Sequence, residues 1–358
     1  MKFVEIDEKQ FATFRKNLVG GGFYQRAERK AVREKMGWKV YFLAAVEDEK
    51  IEAAGFVMGK DGGLILQLGP LMKEYDVKTM RFFVKELVAF AKEQGYVTLE
   101  VYPDLLLSVR DVKGEILKEF DQKKTYQIFE DLGFRYKGRT AEIDPKVIRW
   151  MTVKDLSGIK DLAEAQATYK KNVRNKLRKI SSGLKIHVLT DKSELREWMR
   201  PLDSSNHKNG VESWGRGLDY YEDIWDAFGD QVSFMEVRLV EDNQLVSSRM
   251  VFNFPDETET FSSGTIQELR HWNGMTYMQD WQIGECLKAG QKRLNFYGVA
   301  GDFSDANRLL EFKSGFGVTV EEGIGGFMLV LDARKYRMKQ LRRKVRGAAG
   351  RVKRLIKK

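Results

Sequence analysis

A lysine near the end of a short helix can hold a fixed positive charge beside an oxygen that becomes negative during a reaction. The segment RLLEFKSGFGV (308–318) has that form. Leu309 and Leu310 are placed to face a core, Phe312 is followed at once by Lys313, and Gly315-Phe316 breaks the helix into a strand. Nearly the same stretch occurs at 126–136, YQIFEDLGFRY, where Glu130 and Asp131 take the places of Phe312 and Lys313 when the Gly-Phe pairs are aligned. The element tolerates an acidic pair, so the Phe-Lys pair of the later copy reads as a choice of chemistry. The plainer alternative is a surface lysine favoured by the helix dipole.

A second group of charges lies between the two copies. In YKKNVRNKLRKISSGLKIHVLTD (169–191), Lys170, Lys171, Arg174, Arg178 and Lys179 fall within about three helical turns. Leu177 and Ile180 supply only a thin apolar seam. Such a face can track phosphates along a nucleic-acid backbone. A solvated helix face is the plainer alternative, and Asn172 and Asn175 do not decide between them.

Composition narrows the chemistry. At 358 residues the chain fits two domains better than one. Hydrophobic residues make up 42%, enough for real cores, and five prolines argue against long disordered linkers. The one cysteine, Cys286, rules out a disulfide framework and a cysteine zinc site. His187, His207 and His271 are too widely spaced for a His-rich metal cluster to be expected. The opening MKFVEIDEKQ is acidic and lacks an apolar run, so no secretory signal is expected there. No stretch approaches 18 apolar residues, so no bilayer span is expected, and a reducing cytoplasm is the expected compartment. The net charge of +10 is local. From Ala333 onward there are 13 Lys and Arg and no acids, while the preceding 332 residues hold 49 cations against 52 acids. A partner that reads charge is therefore expected to meet the tail or a local patch.

The elements that must position these residues repeat. In the first half a hairpin, VYFLAAVEDEKIEAAGFVMG (40–59), turns at Glu47–Lys50. A helix follows over about 78–94 with Met80, Phe83, Leu87, Phe90 and Ala91 on one face, ended by Gly95. Then come the strand YVTLEVYP and the helix ending at Gly133-Phe134. The second half runs VSFMEVRLVEDNQLVSSRMVFNF (232–254), a helix over about 276–289, Gly290, the strand RLNFYGV, and the helix ending at Gly315-Phe316. Asp48 to Gly95 is 47 residues and Asp242 to Gly290 is 48. The last interval differs, 38 against 25, because the first copy carries an insertion around 105–124. Hairpin, helix, strand, helix, strand is the order of the acetyltransferase-like α/β (α+β) fold, in which a mixed sheet splays apart and an acyl donor lies in the split. A duplicated α/β binding module without chemistry is the alternative, since folds do not fix functions.

Two such units, with NFYGVAGD, FKSGFG and GIGGFMLVLDARKY in order, resemble the FemABX family over essentially residues 1–335. Those are peptidyl transferases that use aminoacyl-tRNA to build peptidoglycan cross-bridges. Some members carry a long coiled-coil arm in the second domain. Only about 20 residues stand at that place, so the chain is similar to the short, FemX-like form without the arm. The resemblance implies a first domain over 1–150, completed by residues about 323–340, and a second over 151–322; the run of cations leaves a basic tail over 341–358.

The resemblance also implies roles. Phe312-Lys313 matches the family dipeptide whose lysine stabilises charge as an amine attacks the ester, with Phe312 shaping the site. Lys35 in REKMGW, and Arg216 and Tyr220 in GRGLDYY, match positions that hold the precursor. Arg216 can grip a phosphate or carboxylate bidentately, and Tyr220 lies on the same helical face. Lys170, Lys171, Arg174 and Arg178 would meet the tRNA. The pattern departs at Ser262, where the family has tyrosine, and at Tyr102, where some relatives place an acid; Asp104 is nearby. No general base is evident, which suits a substrate-assisted proton relay.

The expected activity is transfer of an amino acid from aminoacyl-tRNA to the stem-peptide amine of a lipid-linked or UDP-linked muropeptide, without cofactor. The rivals are an acyl-CoA-dependent N-acyltransferase and a tRNA- or membrane-binding module without activity. In the tail, Leu341, Val345, Ala348, Val352 and Leu355 recur at spacings of four and three among cations. That stripe predicts an interfacial helix on an anionic membrane surface, placing the enzyme at the inner face of the cell membrane. A disordered tail that brushes tRNA is the alternative.

Overall fold

Asp76 caps the helix Val77–Glu93 by accepting the Thr79 N–H at 2.7 Å. One face of that helix, with Met80, Phe83, Val84, Leu87 and Ala91, is buried against Leu43, Val57, Leu66, Leu99 and Val101 of a sheet. The computed structural model describes residues 1–342 except 17, 145, 181 and 209–215. The expected hairpin forms as Lys39–Glu47 and Lys50–Lys60, with Asp48 and Glu49 left-handed at the turn.

Two sheets result. The first runs in the order Lys2–Glu5, Lys39–Glu47, Lys50–Lys60, Gly63–Gln67, Thr98–Tyr102, Phe327–Val330, Arg135–Tyr136, with Leu71–Met72 added on Lys50–Lys60. The second runs Leu184–Val188, Val232–Leu239, Leu245–Asn253, Thr258–Thr265, Arg293–Gly298, Trp150–Asp155, Thr319–Gly323, Leu106–Arg110, Ile116–Glu119. The helix Val77–Glu93 packs on the first sheet, and Gly274–Lys288 packs on the second through Met278 against Val237, Val246 and Val251. The longest helix among the described residues is 17 residues, so no coiled-coil arm is present there.

The two copies differ at the paired parallel strands. In the first, Gly63–Gln67 and Thr98–Tyr102 stay in register over five pairs. In the second, only Thr258 with Leu294 and Glu259 with Asn295 pair before the strands part. Trp150–Asp155 then takes the far edge of Arg293–Gly298. The split is thus open only in the second unit.

Strands cross between the units in both directions. Phe327–Val330 pairs antiparallel with Thr98–Tyr102. The insertion of the first copy forms the hairpin Leu106–Arg110/Ile116–Glu119, which lies on Thr319–Gly323 of the second sheet. Segment 18–26 is also driven into the second unit. Phe23 stacks on Phe252 at 4.8 Å and lies 4.8 Å from Phe261, while Arg15 and Arg26 both pair with the buried Asp256. At Gly22 a Cβ would stand 2.0 Å from Glu259 Oε1, so only glycine allows the chain this close.

No helix among the described residues is long and apolar enough to cross a membrane. Residues 333–342 are helical. The predicted tail stripe from Val345 to Leu355 lies outside the described residues.

Candidate active site

The helix Arg308–Ser314 is capped by Asn307, whose Oδ1 accepts the Leu310 N–H at 3.1 Å. Its two candidate residues point apart. Phe312 is half-buried in the apolar cluster with Tyr169, Val173, Leu177 and Phe316, its ring 5.5 Å from that of Phe316. Lys313 turns into the split, where Nζ donates to the carbonyls of Tyr297 (3.0 Å) and Gly298 (2.8 Å). Two of its three N–H groups are used, which leaves one. Burial, and then the charge of Arg249, push the ammonium down to about 7.

Other cations fix the turn that follows. The Nζ of Lys154 donates to the Phe316 carbonyl (2.8 Å) and to Thr168 Oγ1 (2.9 Å), and burial pushes it down to about 8. Lys170 Nζ donates to Ser314 Oγ at 2.7 Å. Thus Lys170, placed by sequence with the nucleic-acid face, touches the residue next to Lys313. The helix Lys171–Ile180 buries Val173, Leu177 and Ile180 and exposes Lys171, Arg174, Arg178 and Lys179. Arg174 also donates to the Tyr169 carbonyl at 2.7 Å, and Arg178 to Asn175.

Arg249 was not evident from sequence. It is 2% exposed and has no carboxylate partner among the described residues. It donates to Ser263 Oγ (3.2 Å), Gln279 Oε1 (2.8 Å) and Gln282 Oε1 (2.5 Å), and burial pushes it down to about 9. Both glutamine Nε2 atoms lack an acceptor. The available signal was Gln279 and Gln282, three apart and both buried with Met278, Ile283 and Cys286 on the helix Gly274–Lys288.

A cavity of about 470 Å³ opens between the units. It is lined by Tyr24, Arg29, Arg33, Arg216, Tyr220 and Phe261 among others. The Arg216 guanidinium lies 5.4 Å from the Tyr220 ring centre and 4.9 Å from that of Phe261. Burial lowers both Arg29 and Arg33 from the ordinary arginine value. Arg216 and Tyr220 therefore meet at one groove. Lys35 stands outside that lining: it is exposed and paired with Asp223 on the helix Leu218–Phe228, and Arg33 faces in instead. Ser262, where the family pattern departed, is buried and 3.4 Å from Tyr221 OH; its neighbour Phe261 faces Arg216.

Beside the groove lies a cavity of about 350 Å³ lined by Asp104, Glu257, Glu259, Arg293 and Glu321. Asp104 accepts the Gly21 N–H at 2.5 Å, and burial, against that bond, pushes its carboxyl up to about 6. Arg293 meets Glu321 through two 2.7 Å bonds and Glu257 through one of 2.8 Å. Among the described residues no cluster of His, Cys, Asp and Glu could hold a metal ion.

Two acetyltransferase-like units in one chain, parted only in the second and with a buried lysine at the parting, define a tandem acyltransferase architecture. Comparison with known proteins is specific about the lineage. The model of the FemAB family matches residues 6–240 and 236–344, and the chain belongs to that family. It is 23% identical to the aminoacyltransferase FemB of Staphylococcus epidermidis over 403 residues, covering 94% of this chain and 96% of that protein. It is 21% identical to the aminoacyltransferase FemA of the same species, covering 97% and 100%. The crystal structure of FemX superposes with a TM-score of 0.78 at 14% identity, covering 94% of this chain and 99% of that one. A tandem GNAT protein from the clavulanic acid pathway shares the fold at a TM-score of 0.56 and 8% identity, covering 92% and 98%. The chain is an enzyme of the FemAB aminoacyltransferase family.

Proposed function

We propose that the second unit carries the transfer step, with the aminoacyl ester of a charged tRNA in its split and a peptidoglycan precursor in the arginine-lined groove. The observation that supports this most is the joining of the two places. The split opens only in the second unit, Lys313 lies in it, and the groove with Arg216 and Tyr220 opens between that unit and the first.

The stem-peptide amine attacks the ester carbonyl. A C–N bond forms, the carbonyl oxygen gains negative charge, and the C–O bond to the tRNA ribose breaks. The ribose oxygen leaves with a proton relayed from the amine through the tRNA's own groups. The remaining N–H of Lys313 faces the developing oxyanion. Phe312 shapes the site indirectly, by seating its helix in the apolar cluster. Arg216, stacked on two rings, grips a phosphate or carboxylate of the precursor, and Tyr220 lies beneath it. Lys35 acts only at the rim of the groove. Lys170, Lys171, Arg174 and Arg178 meet the acceptor arm of the tRNA, beside the turn that holds Lys313. The unit boundaries follow the same reading: 1–150 with 323–340, 151–322, and the tail 341–358. The tail holds the enzyme at the inner, anionic face of the cell membrane, which favours a lipid-linked acceptor.

Transfer from a panel of radiolabelled aminoacyl-tRNAs to lipid-linked and UDP-linked precursors, read by mass, tests the reading. A product heavier by one or more amino acids supports it; no product with any donor sinks it. Sedimentation with anionic vesicles tests the tail. Undiminished binding by a chain ending at Tyr336 removes the membrane role.

A further inference from the structure

Tyr297 touches both halves of the site. Its backbone is left-handed, with φ of 69°, where a non-glycine residue is strained. Its carbonyl accepts from Lys313 Nζ (3.0 Å) and from Thr152 Oγ1 (2.8 Å). Its N–H donates to Asn295 Oδ1 at 2.8 Å. Its ring lies 5.3 Å from that of Phe261, and its hydroxyl is 3.1 Å from the hydroxyl of Tyr24, a lining residue of the groove contributed by the first unit. Arg29 in turn donates to the Tyr24 carbonyl at 2.9 Å. A strained backbone persists only where its surroundings over-determine it. Here the side chain is held from the first unit and the carbonyl from the second.

We propose that the Tyr24–Tyr297 hydroxyl pair is a positioning device through which the first unit sets the two carbonyls that hold Lys313. The inference rests on the transfer reading above and adds residues to it. Without the pair the ring is free to turn, the left-handed backbone loses an anchor, and the carbonyls of Tyr297 and Gly298 no longer converge on the ammonium. The charged and titratable groups around Lys313 are few. Arg249 approaches from Leu245–Asn253, and Tyr297 from its own strand. Lys154 and Lys170 hold the turn beyond, Asp280 on Gly274–Lys288 bonds Gln166, and Arg308 pairs with Glu311 on the exposed face of the lysine's own helix. Thus no carboxylate competes for Lys313 among the described residues, and the carbonyls are its principal support.

The test is Tyr24→Phe, Tyr297→Phe and the double variant, each alone and in a Lys313→Ala background. Each single variant should lower kcat by about 3–10-fold, the scale of one hydrogen bond, with KM for the precursor changed less than twofold. The double should lose no more than a single variant. In the Lys313→Ala background none should lose anything further. A full-sized loss in that background, or unchanged kcat in all three, overturns the proposal. A second readout does not need transfer activity: the pH titration of the Lys313 Cε signal in the [¹³C]lysine-labelled chain, assigned with Lys313→Arg. Loss of the pair should move the midpoint to lower pH, because the ammonium loses its carbonyls. An unmoved midpoint overturns the proposal, whatever becomes of the transfer reading.

Discussion

The Nζ of Lys313 lies 2.8 Å from the carbonyl oxygen of Gly298 and has no carboxylate partner among the described residues. Its charge is therefore held by two backbone carbonyls and remains available to a third acceptor.

Lys313→Ala should lower turnover by roughly 10²–10³-fold, as loss of an oxyanion donor does, with precursor affinity little changed. The charged form is the useful one, so turnover should fall as pH rises through about 7. Lys313→Arg, which stays charged, should flatten that limb. Stability has the opposite slope. The folded chain binds this proton more weakly than the unfolded chain, so stability rises from about pH 7 toward the ordinary lysine value of 10.5. Thermal melts of Lys313→Met should lose that rise; a rise that survives assigns it to another group.

Arg249→Met should move the basic limb of the pH profile upward, because Lys313 loses a neighbouring cation. It should also lower the melting temperature, since the Oε1 atoms of Gln279 and Gln282 lose their donor at about 1–3 kcal/mol for each one left unsatisfied. Arg249→Lys, which keeps the charge, should hold the limb in place. Profiles of Arg249→Met that overlay the parent would disconnect Arg249 from Lys313.

In the groove, Arg216→Ala should raise the precursor KM by about 10–100-fold, the scale of charged hydrogen bonds, and leave tRNA affinity nearly unchanged. Arg33→Ala should behave alike, because Arg33 lines the cavity. Lys35→Ala should have the smaller effect, its ammonium being exposed and already paired with Asp223. Steady-state kinetics on the three variants decide the order, and a larger loss at Lys35 than at Arg33 would reverse the assignment.

Lys171, Arg174 and Arg178 should contribute to tRNA binding in a salt-dependent way. Each change to alanine should reduce the slope of log K against log salt by roughly one, since one phosphate is then no longer neutralised by the protein. Lys170→Ala should in addition lower kcat, since its Nζ holds Ser314 beside Lys313. Salt slopes that stay constant across the three outer cations would mean a solvated face and nothing more.

The frame of the molecule was legible where the pattern is local. The Glu47–Lys50 turn, the helix around Met80–Ala91 and the repeated Gly-Phe stops all follow from spacing and turn chemistry. Lys313 stood out because its counterpart is Asp131. What escaped is non-local. Arg249 sits in a strand whose register alone sends it under the sheet rather than into water. Arg33 and Lys35 are two apart on one helix, and only packing against Leu218–Phe228 decides which faces the groove. Asp104 reads as a loop acid until Gly21 closes on it. The destination of the 105–124 insertion depends on Thr319–Gly323, about two hundred residues further along.

That exchange of strands also bears on the order in which the chain can complete its sheets. Phe327–Val330 lies between Thr98–Tyr102 and Arg135–Tyr136, so the first sheet keeps an open seam until residue 330 has left the ribosome. The hairpin over 106–119 likewise waits for residues 319–323 to emerge. An emerging first half therefore shows unpaired strand edges for most of synthesis, the condition under which nascent chains need chaperones. Exchange of one half for that of a relative meets the same constraint, because both borrowed strands would then have to pair with a sheet they did not come with.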